Sequence, residues 1–156
     1  MSRQVLTPQA VELVAFARLM RAQTILRREL EAESLTPRGL TINDFETMLH
    51  LSRAPDSRLR RTDLAQRLML TPSGVTRLLE GLNEAGLIEN RVCDDDARVT
   101  WAQLTVEGAE TLACVGVTHA ERLRAIFGET LSEGEVAQLS ELLGRLPGVG
   151  QGSCAG

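Results

Sequence analysis

The sequence predicts a mainly α-helical chain with one small β-hairpin, an α+β class dominated by helix. Three observations carry that expectation. Two short apolar-patterned segments joined by a tight turn lie between Arg60 and Gly86. Two strand-like runs, 87–92 and 98–104, follow at once around the polar connection Cys93-Asp94-Asp95-Asp96-Ala97. Long segments with helical apolar spacing flank this middle on both sides.

The elements follow in order. From Pro8 to about Glu33, Leu19, Ala22, Leu26 and Leu30 share one helical face, and Leu13, Phe16, Ala17 and Met20 a neighbouring one. An apolar surface that wide needs partners on more than one side. Thr36-Pro37-Arg38-Gly39 breaks the helix. Thr41 reads as an N-cap with Asp44 as its capping-box partner, opening a helix that Pro55 bounds. A short helix from about Arg60 to Leu68 turns Leu64, Ala65 and Leu68 inward. Thr71 caps the next, and Pro72 takes its first position, where a missing N–H costs nothing. That helix shows Val75, Leu78, Leu79 and Leu82 on one side and Ser73, Gly74, Thr76 and Arg77 on the other, and Gly86 ends it. After the strands, Thr105 caps a long helix to about Phe127, with Cys114 expected in its core face. Ser132-Glu133-Gly134-Glu135 is a capping box for a last helix carrying Val136, Leu139, Leu142, Leu143 and Leu146. The Gly-rich residues 148–156 are expected to form a flexible tail.

Composition narrows the function classes. The chain has 156 residues, 43% hydrophobic and 24% charged, which suits one globular domain or two small layers sharing a core. No run of 18 uncharged apolar residues and no signal peptide are visible, so a cytoplasmic location without a membrane span is expected. Three Phe, one Trp and no Tyr leave little for base-stacking or sugar-stacking surfaces. There is no G-x-S-x-G, P-loop or G-x-G-x-x-G, so no enzyme, catalytic residue or cofactor is expected. Asp94, Asp95 and Asp96 beside the Cys93 thiol match no common metal, and a solvated acidic turn is expected instead. Met20, Met48 and Met69 at helical positions fit core packing better than a binding box.

The formal net charge is −4, which taken whole argues against a nucleic-acid partner. Its distribution reverses that. All 17 basic residues are arginine. Residues 105–156 carry three arginines against seven acids, whereas residues 58–77 carry five arginines against Asp63 alone. A field basic over the middle segment and acidic behind it suits duplex DNA.

Two short helices joined by a tight turn and followed by a hairpin describe a winged helix-turn-helix. Its second helix can enter a major groove, since Ser73, Gly74 and Thr76 allow close approach and Arg77 can reach a phosphate or a guanine edge. Arg60 and Arg61 are candidates for phosphate contact at the start of the first short helix, and Thr71 stands at the start of the second.

The runs Leu70-Thr71-Pro72-Ser73-Gly74-Val75-Thr76-Arg77-Leu78-Leu79 and Leu82-Asn83-Glu84-Ala85-Gly86-Leu87-Ile88 resemble the helix-turn-helix of the MarR family of bacterial transcriptional regulators. Asp96-Ala97-Arg98, then Leu104-Thr105 and Gly108, resemble that family's wing and its run into the next helix. The resemblance covers about residues 40 to 110 by motif. It implies a two-fold dimer, with residues 1–39 and 105–147 forming a helical dimerisation layer around a DNA-binding domain at 40–104. It implies that Ser73, Thr76 and Arg77 face double-stranded DNA, that Arg98 is a wing arginine entering the minor groove, and that Asp96 braces it; Arg60, Arg61, Thr71 and Gly74 join the DNA-facing set from the residue reading above. It further implies a small aromatic ligand that weakens DNA binding, for which Met20, Met48 and His50 are the candidate positions. The sequence departs from the family at Met69, where many members have Gly, and at Arg60-Arg61, where a Ser or Thr cap is usual.

Two rival readings stay open at this point. One is a winged-helix protein-interaction module, which the acidic pI permits; the other is a ligand-binding protein without DNA activity.

Overall fold

The computed structural model describes residues 10–92 and 99–149. Helix α1 spans Val11–Leu30 and continues without a break into a π turn at Glu31–Leu35 and a 3-10 turn at Thr36–Arg38. The expected N-terminal helix is therefore present, and its last turn is widened. Helix α2 spans Ile42–Ser52 behind the predicted capping box: the Thr41 N–H donates to Asp44 Oδ2 at 2.7 Å, and the Asp44 N–H to Thr41 Oγ1 at 3.3 Å. The α2 backbone is also tied to the preceding turn, where the Ile42 N–H donates to Glu31 Oε1 at 3.0 Å.

A short strand, β1 (Arg58–Arg60), then leads into α3 (Arg61–Arg67), α4 (Pro72–Glu84), β2 (Ile88–Val92) and β3 (Thr100–Leu104). The sheet has the order β1–β3–β2, all antiparallel. The expected hairpin is thus the larger part of a three-stranded sheet. Three residues are too few to display a period, and β1 exists only because Leu59 pairs with Ala102 across β3. One face of the sheet carries Leu59, Ala102, Ile88 and Leu104 inward.

Helices α5 (Val106–Gly128) and α6 (Glu133–Gly144) complete the chain. Ser132 and Glu135 form the predicted capping box. The core runs from the end of α1 through α2, α3, α4 and the sheet into the first half of α5, with Leu35, Met48, Leu64, Val75, Ile88 and Val115 at its centre. It crosses position 104 without a break. A Cβ at Gly108 would overlap the Leu87 carbonyl oxygen, so α5 lies directly on the backbone that leaves α4.

The outer layer is different. Helix α1 buries only Leu30, and α6 buries nothing. Between them lies an apolar cleft of 890 Å³ lined by Phe16, Leu19, Leu26, Phe127, Leu139 and Leu142. Where α5 crosses α1, Arg122 bridges Glu29 at 3.2 Å and Glu33 at 3.0 Å.

Some side-chain expectations need correction. Cys114 is exposed, because Leu112 and Val115 take the inward positions of that turn. Of Met20, Met48 and Met69, only Met48 is core; Met20 is 43% and Met69 90% exposed. Among the described residues no helix is long and apolar enough to cross a membrane.

Candidate nucleic-acid interface

Helix α3 ends in a pair of hydrogen bonds that reverse the chain: Met69 N–H to Gln66 O at 3.2 Å and Leu70 N–H to Ala65 O at 3.0 Å. The geometry places Met69 in the left-handed region at φ 53°. Position 69 is where the sequence departs from the resembling family, and it is the position whose backbone favours Gly. The turn keeps its shape with Met in place.

Helix α4 starts at Pro72, two residues after Leu70. Thr71 Oγ1 accepts from the Gly74 N–H at 3.2 Å, and a Cβ at Gly74 would press against that oxygen at 3.2 Å. Val75, Leu79 and Leu82 are buried and hold α4 to the core. Ser73 and Arg77 are exposed one helical turn apart. Thr76 is half-buried; its hydroxyl donates to Pro72 O at 2.9 Å and accepts from Arg61 Nη1 at 3.3 Å. Arg61 from the start of α3 therefore reaches across to the exposed side of α4. The structure brings Arg61, Thr71, Ser73, Gly74, Thr76 and Arg77 to one surface.

Arg60 lies at the α3 N-cap and at the end of β1, so its side chain joins the sheet's outer face. There its guanidinium carbon sits 5.2 Å from the centre of the Trp101 ring, and that of Arg58 sits 5.1 Å away. Arg91 pairs with Trp101 from the other side, on β2. Arg58 is bridged to Asp56 at 3.3 Å and Arg91 to Glu89 at 2.9 Å. This cluster of Arg58, Arg91 and Trp101 was not singled out from sequence. A usable signal existed in β3, where Trp101 and Gln103 alternate with the inward Ala102 and Leu104.

The basic surface extends to the end of α2. Burial lowers the His50 imidazole below its usual range, and Arg67 and Arg53 lower it further. Met20 lies on α1, Met48 is inside the core, and His50 is half-buried on α2. None of the three lines the cleft between α1 and α6 or a second cleft of 580 Å³ where Arg38, Leu40, Leu87 and Cys114 meet. In that second cleft Arg38 Nη2 donates to Cys114 Sγ at 3.4 Å. Asp96 and Arg98, with Cys93 and the rest of the connection between β2 and β3, lie outside the described residues, as does the tail from 150.

Residues 38–99 match the sequence model of the MarR family. The chain is 33% identical over 109 residues to the HTH-type transcriptional repressor YetL of Bacillus subtilis (strain 168), covering 70% of this chain and 65% of YetL. It is 32% identical over 90 residues to the HTH-type transcriptional repressor Rv2887 of Mycobacterium tuberculosis, covering 58% of this chain and 63% of that protein. The chain thus spans just under two thirds of the length of these curated relatives. In three dimensions it is similar to AbsC, a MarR family transcriptional regulator from Streptomyces coelicolor, with a TM-score of 0.78 and 30% identity over 90% of this chain and 93% of that one. Its fold also matches Sco3205, a MarR family regulator from the same organism crystallised with DNA, with a TM-score of 0.78 at 24% identity over 90% and 88% of the two chains.

Proposed function

Because this chain belongs to the MarR family of transcriptional regulators, we propose that it is a repressor that binds a pseudo-palindromic duplex operator as a homodimer. The carrying observation is the surface of α4: Ser73 and Arg77 stand exposed beside Thr76, with Arg61 reaching in from α3. Ser73, Thr76 and Arg77 read base edges, and Gly74 permits the helix to approach them closely. Thr71 shapes the start of α4, whose free amides favour a phosphate. Arg60 and Arg61 take phosphates beside the groove. Arg98, held by Asp96, enters the minor groove; this part rests on the family resemblance. Repression is supported by YetL and Rv2887, which are repressors.

The dimer is supported by the cleft between α1 and α6, an apolar surface that a second copy would cover. Two-fold symmetry then sets half-sites about 10 base pairs apart, centre to centre. The rival protein-docking reading drew on the acidic charge, but residues 58–77 carry five arginines against Asp63 alone, while residues 105–156 carry seven acids against three arginines. Release by a small aromatic acid also follows from the resemblance; Met20, Met48 and His50, the positions expected for it, line neither cleft.

Selection of preferred sequences from random duplexes, with and without candidate aromatic acids, tests the whole reading. The expected result is a symmetric, salt-sensitive site whose affinity drops when the right acid is added. Absence of any sequence preference at physiological salt would sink it.

A further inference from the structure

The outer face of the sheet holds an arrangement that the reading surface of α4 does not account for. Trp101 is the chain's single tryptophan, and it stands directly across the strands from Arg60. The guanidinium groups of Arg60 and Arg58 both lie over its ring, at 5.2 and 5.1 Å. Arg58 and Arg91 on this face each have a carboxylate at hand, Asp56 and Glu89; among the described residues Arg60 has none. Arg60 also directly precedes Arg61, whose guanidinium touches Thr76 on α4. The Arg60 side chain is therefore steadied by an aromatic face at the border between the sheet and the reading helix.

Fixing an arginine on a phosphate forfeits rotamer freedom, and a guanidinium already resting on an indole has given up part of it before the encounter. Stacking leaves the guanidinium edge and its N–H donors free to bond a phosphate oxygen. We propose that Trp101 is a positioning residue for duplex binding, holding Arg60 ready for a backbone phosphate beside the groove that α4 enters. The proposal rests on the DNA-binding reading above.

Anisotropy titrations of the full chain test it. The probes are a labelled duplex of the selected sequence and a scrambled duplex of equal length, each over a range of salt concentrations. Arg60→Gln weakens both duplexes by the same factor and flattens the salt dependence by about two units for a two-subunit complex, at roughly 0.9 per phosphate. Trp101→Ala weakens both by about ten-fold when two subunits are counted. Trp101→Phe, which keeps an aromatic face, recovers most of that loss. In an Arg60→Gln background, Trp101→Ala has no further effect. Unaltered binding by Trp101→Ala overturns the proposal, and so does an equal loss with and without Arg60. Should Trp101→Ala not fold, Arg60→Gln decides alone, and an unchanged salt dependence overturns the proposal. A parent chain with no duplex affinity overturns the underlying reading instead.

Discussion

Among the described residues, three helix ends close with the same pair of hydrogen bonds, but the residue at the left-handed position is Gly39 in one, Gly86 in another and Met69 in the third. A left-handed L-residue costs about 1–2 kcal/mol, against about 0.5–1 kcal/mol of extra entropy that Gly loses on folding. The Met69 side chain is 90% exposed and has little burial to lose. Met69→Gly should raise stability by about 1 kcal/mol, seen as a higher urea midpoint; a lower midpoint would show that the Met side chain makes a stabilising contact after all. On the reading surface, Arg77→Ala should cost about 1–3 kcal/mol of discrimination at one base position, and Arg98→Ala should weaken binding more than Arg145→Ala does. Equal affinities for those last two variants would remove the wing from the interface. Acid sensitivity is also a residue property here. His119 stacks on Phe45 with ring centres 4.5 Å apart, and burial holds its imidazole below the usual range. The unfolded chain then binds this proton more tightly than the folded one. Its contribution is complete above about pH 6.5 and is lost as pH falls from there through the folded-state value. His119→Phe keeps the stack and should reduce the fall in urea midpoint between neutral and mildly acidic buffer; the remaining fall belongs in part to His50.

At the scale of elements, the junction of α4, β2 and α5 sets where α4 points. The Thr105 N–H donates to Leu87 O at 3.1 Å, its hydroxyl donates to Gly86 O at 2.7 Å, and Gly108 lets α5 rest on the same stretch of backbone. Gly108→Ala should destabilise by about 3 kcal/mol through overpacking, lowering the thermal midpoint; an unchanged midpoint would mean that α5 can shift without penalty. Thr71→Ala removes a cap and should cost about 1 kcal/mol. These joints differ in how visible they are in the chain. Caps at Thr41, Thr71 and Ser132 are legible because the bonds span three residues and depend on local chemistry alone. Strand β1 is not, since its pairing partner lies more than forty positions away. The stack of Arg58 and Arg60 on Trp101 is hidden for the same reason. Residues Ser73 to Arg77 could be read as a surface because helical spacing alone sorts them from Val75 and Leu79. Cys114 is placed in the core by sequence and exposed by the structure, because the apolar positions of α5 surround it on a helix that is broadly apolar.

The whole molecule has one well-filled core and an outer layer left open between α1 and α6. Leu142→Asp, placed in the 50%-exposed lining of that opening, should convert the proposed dimer to a monomer in sedimentation and reduce duplex affinity at least ten-fold through lost bivalency. A variant that stays dimeric would show that the second copy docks elsewhere. The unfilled opening has a consequence for gene dosage. If pairing closes it, the amount of active regulator rises with the square of subunit number at low copy and only linearly once pairs predominate. An unpaired subunit would then display Phe16, Leu139 and Leu142 to chaperones and proteases, and surplus singles would be cleared first. On the proposed reading, the open layer would act as a census, making silencing depend on whether enough copies have been made, before any operator or effector is encountered.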